Sequence, residues 1–476
     1  MRKHILFIAA LLFVSTACQD FVDIEPQYQE EISNGLVDIE DYEGATIGIL
    51  SAMRANAYYG STYGSLMDMM GEDLYETPES LGNSRNMTDW IYTSANGTIS
   101  GAWLRMYQVI LRANTVINGI DDVEEDVAGR KNRLKAQALA LRAYAHFDLL
   151  RAFGQSYDRN STELGVPVKT DIEISLPDRA TVQATYDQIF ADLNDALGLY
   201  DNMDIADADI PTTFFSKLAA QALLARISLY AGLDSDAVNY ATQVINSSRT
   251  GLVSRANYGL VWTQEKVDGS SVDSEVVFEI AFTFGQDSRI GSPIYFVPNN
   301  RVAFRPSTLW LDLFGATPSD DARYGAYVRA DSRRGGAIIP SKYESNDGFL
   351  SFKALRLSEM YLIRAEAYAN QNMNTEASAD LNTLRAARID GYVNENLTGA
   401  ALMNAIKVER RKELFMEGHR WFDVRRYGDG INRGPDFAAP AVTQSIPAGN
   451  FRFVWPIPQD EIDANPSIAD QQNPNY

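Results

Sequence analysis

Residues 225–232 read ARISLYAG and residues 363–370 read IRAEAYAN; each places an Arg four residues before a Tyr and interleaves small residues. Each is followed by an alanine on the next stretch, Ala237 in one case and Ala377 in the other. Leu218, Ala222, Ala225 and Leu229 run into the first copy at spacings of four, three and four, which lays them along one helical face. RAYAHF, residues 142–147, is a looser third version. Small residues at helical spacing let antiparallel helices approach closely, and stacked pairs of this kind are the logic of tetratricopeptide-like repeats.

Working outward, the same period predicts helices over 104–119, 132–153, 181–200, 234–246, 354–369, 375–388 and 402–427. Two regions break it. Residues 57–100 are rich in Gly, Ser, Asn and aromatics, and residues 250–348 mix turn residues with strand-like runs such as VVFEIAFTF at 276–284. The expected fold is mainly α: tetratricopeptide-like helix pairs form a scaffold, and an irregular, loop-rich face contains short strands. No Pro- or Ser-rich linker divides residues 32–476, so they are read as one domain with two irregular insertions.

The chain has 476 residues, 45% hydrophobic and 22% charged, which excludes collagen-like, disordered and multi-pass membrane classes. Its net charge of −21 repels polyanions and argues against nucleic acid as a partner. The single cysteine forbids an intramolecular disulfide or a cysteine-cluster metal site. Residues 1–17, MRKHILFIAALLFVSTA, combine Arg2 and Lys3 with an apolar run and a small-residue end, the pattern of a secretory signal peptide. Cys18 follows at once, and the site resembles a bacterial lipobox. That reading makes Cys18 the lipidated residue and the acidic stretch 18–31 a tether. Loss of Arg2 and Lys3 with the leader would leave the remainder more acidic still, which favours neutral over polyanionic ligands.

Three stretches together resemble the SusD/RagB family of Bacteroidota surface lipoproteins. They are LSEMYLIRAEAYAN (357–370) with ASADLNTLRAAR (377–388), VERRKELFMEGHRWFDVRRYG (408–428), and the ending PIPQDEIDANPSIADQQNPNY (456–476). WLRMYQVILRANTVI (103–117) resembles the family's first scaffold helix. The resemblance implies four tetratricopeptide-like helix pairs with a variable glycan-binding face. It also implies a SusC-like TonB-dependent transporter as partner in nutrient uptake and polysaccharide utilization. The location implied is the cell outer membrane, lipid-anchored and outward-facing.

The charged helix around Glu409, Glu413 and Glu417 has the carboxylates of a hydrolase, but Arg410, Arg411, Arg420, Arg425 and Arg426 stand among them. Arginines hold carboxylates ionised, the opposite of what a general acid needs, so structural ion pairs are expected and catalysis is not. His146 and His419 are too few for a zinc site. The acidic runs at 121–126 and 201–209 lack the glycine-centred spacing of a calcium loop. No nucleotide or serine-hydrolase motif occurs. Neither a cofactor nor a metal is expected.

Aromatics are the positive signal. Sugar rings offer apolar C–H faces for stacking, and their hydroxyls need fixed polar partners. Tyr75, Trp90 and Tyr92, with Asp73, Arg85 and Asn96 among them, are therefore the expected ligand-binding set, with Trp90 as platform. Trp262 and Tyr295 are secondary candidates. Trp103, Tyr107, Trp310, Trp421 and Trp455 are assigned to packing. The expected function is capture of an oligosaccharide or polysaccharide, with a peptide or other nutrient as first alternative. A surface glycoside hydrolase and a protein-docking scaffold are the others.

Overall fold

Helix α1, Ile39–Met53, starts at a reciprocal cap in which the Asp38 carboxylate accepts from the Asp41 amide and Asp41 accepts from the Asp38 amide. The computed structural model describes residues 35–125, 127–262, 275–282, 301–344, 349–437 and 443–476. After α1 come α2 (Thr62–Met69), α3 (Gly97–Gly119), α4 (Ala128–Phe153) and α5 (Val182–Tyr200). The second half adds α6 (Lys217–Tyr230), α7 (Asp234–Ile245), α8 (Leu357–Asn370), α9 (Asn374–Arg388), α10 (Gly399–Glu413) and α11 (Arg420–Tyr427). Helix α3 packs between α1 and α4, α4 against α5, α6 against α7 and α8 against α9, with α7 on α8 joining the last two pairs. The repeated alanines sit at these contacts: Ala222, Ala225, Ala237, Ala365 and Ala377 are fully buried. The fold is mainly helical, as the repeat signature implies.

Short antiparallel ladders make up the irregular face. Strand β1 (Leu74–Glu76) pairs with β3 (Phe304–Pro306), and β2 (Val276–Ile280) with β6 (Phe352–Arg356). Strand β4 (Val328–Asp331) forms a hairpin with β5 (Ala337–Pro340). Three sequence expectations change here. Residues 354–356 belong to β6, not to the following helix, because Phe352 to Arg356 pair with β2. The helix expected over 402–427 is two helices. Between them Met416 and Gly418 take φ of 62° and 78°, and a Cβ at Gly418 would sit 3.0 Å from the Gly64 carbonyl. Helix α2, inside a stretch read as irregular, is buried almost all round and so carries no amphipathic stripe to betray it.

The break after α10 completes a buried ionic cluster. Glu413 takes Arg323, Arg356 and Arg388, each at 3.1 Å. Glu417 takes Arg356 at 2.7 Å and Lys342 at 2.6 Å, and Glu409 takes Arg323 at 2.5 Å. Glu275 joins through Arg356 and Arg388, and Asp321 through Arg323 and Lys412. Five buried acids thus face five buried bases. The carboxylates of α10 are ion-paired, as expected, but not with the arginines next to them in sequence. Arg410 turns to Asp423, Arg411 to Asp73 and Arg420 to Glu72, while Arg425 donates to the carbonyls of Arg151 and Gly154. A helix puts only every third or fourth residue on one side, so neighbours in the chain serve different partners. Buried and paired, Glu409, Glu413 and Glu417 are out of reach of a ligand.

Burial pushes the Glu413 carboxyl up, but Arg388, Arg356 and Arg323 outweigh it and hold it well below the usual range. Burial, with help from Arg142, lowers His146 to about 3, and burial with Arg226 and other guanidiniums lowers His419 well below its usual value. In all three cases the unfolded chain binds the proton first, so stability is complete above the unfolded value and is lost as pH falls through the folded one. The melting temperature should therefore begin to fall below about pH 6.5, through the histidines, and fall faster below about pH 4.5 as carboxylates join. The loss from His146 alone is bounded at about 5 kcal/mol. A thermal-shift series from pH 8 to pH 3 on the protein and on His146→Gln checks this; the variant should be flatter between pH 6.5 and 4.5.

Candidate functional site

Strand β1 is held from behind and in front. The backbone of Glu72 and Asp73 accepts from the Ser307 hydroxyl and amide, at 2.7 and 2.8 Å, while their carboxylates are gripped by Arg420 and Arg411. The chain then runs through β1 into a loop fastened at Glu79, which takes Arg334 at 2.6 Å and Arg305 at 3.3 Å. Hydrogen bonding by Arg334 holds the Glu79 carboxyl at about 2. Beside this strand lies a cavity of about 340 Å³. Its aromatic walls are Tyr75, Phe304 and Phe437, with Tyr75 and Phe437 edge to face at 6.2 Å.

Polar groups converge on the same space. Arg433 stacks over the Phe437 ring at 4.8 Å and over the Trp90 ring at 3.9 Å, and donates to the carbonyls of Met70, Gly71, Thr88 and Thr443. Burial lowers its guanidinium to about 10. At the rim, half-exposed Arg85 pairs with Glu76 at 3.1 Å. Asp436 accepts from the Thr308 amide and hydroxyl at 2.7 and 2.6 Å. Asp89 lines the inner wall. Aromatic faces beside fixed charged groups suit a ligand with apolar C–H faces and a hydroxylated edge.

Of the residues singled out in the sequence, Tyr75 and Arg85 meet in this cavity and the others do not. Trp90 is 4% exposed; its ring lies on Trp421 and its Nε1 donates to the Met70 carbonyl at 3.0 Å, so it offers no platform. Tyr92 is buried, its hydroxyl donating to the Arg452 carbonyl and its ring stacked on Tyr476. Asp73 is used by Arg411, and Asn96 caps α3 by accepting from the amides of Thr98 and Ile99. Trp262 is buried beneath Lys342 and Arg356. Tyr295 and Cys18 lie outside the described residues. The aromatic density of this stretch has a structural cause. Tyr58 and Tyr59 donate to the Asp148 carboxylate at 2.5 and 2.7 Å, the Arg151 guanidinium pairs with the same carboxylate, and Tyr63 donates to the Asp148 backbone carbonyl at 3.3 Å, so all three tyrosines are tied to one buried residue.

Two family models match the chain. One, described as starch-binding and associating with the outer membrane, covers residues 20–229, and that of the SusD family covers residues 340–476. The chain belongs to the SusD family. A SusD-like protein of Formosa agariphila is 24% identical, with 98% of this chain and 97% of that protein covered. Among solved structures, a SusD superfamily protein of Bacteroides thetaiotaomicron has a TM-score of 0.81 and 27% identity over 92% of this chain and 100% of its own. A laminarin-binding SusD-like protein has a TM-score of 0.70 and 22% identity, over 92% and 100%, and supports the fold.

In this SusD family member the aromatic and charged cavity residues that sequence reading passed over are Phe304, Arg433, Asp436, Phe437, Asp89 and Glu76. The first four come from segments more than two hundred residues away from Tyr75, so no periodicity joins them to it. Phe437 had a local signal, an aromatic among turn residues in RGPDF at 433–437. Because Trp90 is core, Trp90→Ala should lower stability by about 3–5 kcal/mol, read from urea denaturation, instead of leaving the melting temperature unchanged as a surface platform would.

Proposed function

We propose that this chain is a lipid-anchored, outward-facing protein of the outer membrane that captures neutral oligosaccharide and passes it to a SusC-like TonB-dependent transporter. The observation that carries the reading is the cavity: aromatic walls from Tyr75, Phe304 and Phe437 meet ion-paired and carbonyl-held polar groups in one open-mouthed cavity. Such a site works by stacking and hydrogen bonding, and the proposed role includes no bond cleavage. The family description, starch-binding with outer-membrane association, supports both the ligand class and the location. The laminarin-binding relative by fold adds a neutral glucan as the first ligand to try. Cys18 supplies the anchor in this reading, at the start of the acidic stretch that precedes the described residues.

Affinity electrophoresis in gels containing laminarin, amylopectin, xylan or galactomannan tests the ligand. The protein should be retarded by at least one of them, and Tyr75→Ala should weaken retention about tenfold, since stacking and area burial together reach 1–2 kcal/mol. Tyr75 is half-buried at the cavity wall, so its loss should move the melting temperature little. Retention of peptides in place of glycans moves the reading to another nutrient, and release of labelled sugar by pure protein makes it a hydrolase. Cys18→Ala should transfer the expressed protein from the membrane fraction to the soluble one; continued membrane association argues against the anchor.

A further inference from the structure

Asp89 differs from every other carboxylate in the cavity. Glu76 is occupied by Arg85 and the Ser80 hydroxyl, and Asp436 by Thr308. The Asp89 side chain is only 7% exposed, yet among the described residues nothing donates a hydrogen bond to its carboxylate. Its nearest cation is Arg433 Nη1 at 4.0 Å, and that guanidinium already serves four backbone carbonyls. A buried carboxylate without donors is costly, so the acceptor capacity is held for something that enters the cavity.

The local backbone explains how the group is held there. Asp89 ends the short helical turn Arg85–Thr88, and Trp90 follows in the left-handed region at φ 56°, an uncommon conformation for a bulky residue. This reversal drives the Trp90 ring into the core against Trp421 while Asp89 stays on the cavity wall. The ring then carries Arg433, whose four carbonyl bonds fix it beside Asp89. Burial raises the Asp89 carboxyl, and Arg433 opposes that rise. Among the described residues that line the cavity, Glu76, Asp89 and Asp436 face Arg85 and Arg433, which leaves a net negative charge.

We propose that Asp89 sets the ligand class of this cavity: its free carboxylate accepts hydrogen bonds from the hydroxyls of an uncharged sugar and turns away sugars bearing carboxylate or sulfate groups. This rests on the glycan reading above. A hydroxyl donating to an ionised, partly desolvated acceptor forms one of the stronger hydrogen bonds, whereas an anionic substituent in the same place meets a like charge that solvent screens less than it would at the surface.

The experiment compares the full chain, Asp89→Asn, Asp89→Ser and Tyr75→Ala in gels of the four neutral polysaccharides named above, of polygalacturonate and of a sulfated galactan, with melting temperatures recorded for each. The protein should be retained by a neutral polysaccharide and not by the two anionic ones. Asp89→Asn should weaken neutral retention about tenfold, because its amide oxygen still accepts a hydrogen bond but lacks the charge that strengthens it. It should also narrow the gap between neutral and anionic ligands, with Asp89→Ser doing the same. Neutral retention that depends on Tyr75 but is unchanged in both Asp89 variants overturns this inference and leaves the glycan reading standing. Retention by polygalacturonate or the sulfated galactan as strong as by any neutral polysaccharide overturns it as well. Absence of retention by all six overturns the glycan reading and this inference with it, and retention indifferent to Tyr75→Ala moves the glycan away from this cavity and so overturns this inference.

Discussion

Glu413 and the three guanidiniums around it are the fixed point of the molecule. Arg323 comes from the turn before β4, Arg356 from the end of β6, Arg388 from the end of α9, and Glu413 from the last turn of α10. A single carboxylate therefore binds the irregular face to the helical scaffold. Charges taken this far out of water are poorly tolerated unless each finds its partners, which gives the arrangement little freedom to shift. From the same helix Arg411 reaches Asp73, and from α11 Arg420 reaches Glu72, so the residues leading into β1 are fixed by the outward side of the ionic scaffold. The cavity begins at the next residues. A charged helix with the outward look of a hydrolase site thus does its work by positioning a strand.

The helical half of the fold was legible because amphipathic periodicity reports burial on one side, and paired alanine-rich segments such as those ending at Gly232 and Asn370 report close helix contact. The signal failed where burial surrounds an element. Helix α2 and strand β6 are enclosed, so their sequences alternate with neither period. It also failed at the break after α10, where Gly418 is required by the approach of the Gly64 backbone, a contact between residues far apart in the chain.

The candidate site shows the same divide in sharper form. Tyr75 and Arg85 were found because they sit in a loop-rich stretch dense in aromatics, and they are partly exposed there. Trp90 and Tyr92 were found by the same reasoning and are buried, because composition does not distinguish an aromatic that faces a ligand from one that solvates or roofs the core. Burial around Asp148 accounts for three of the tyrosines. The opposite wall, Phe304 with Arg433 to Phe437, is brought in by a three-residue strand and a loop, neither of which leaves a pattern in a single sequence.

The ionic cluster has one further consequence. Its five acids and five bases cancel, so it contributes nothing to the net charge of −21, and the excess negative charge resides elsewhere in the chain. The field felt at a distance by a neighbouring molecule is therefore net negative. Two copies approaching to within about 8 Å at physiological ionic strength begin to repel each other. Dense arrays of this protein would keep their own spacing without any contact to enforce it.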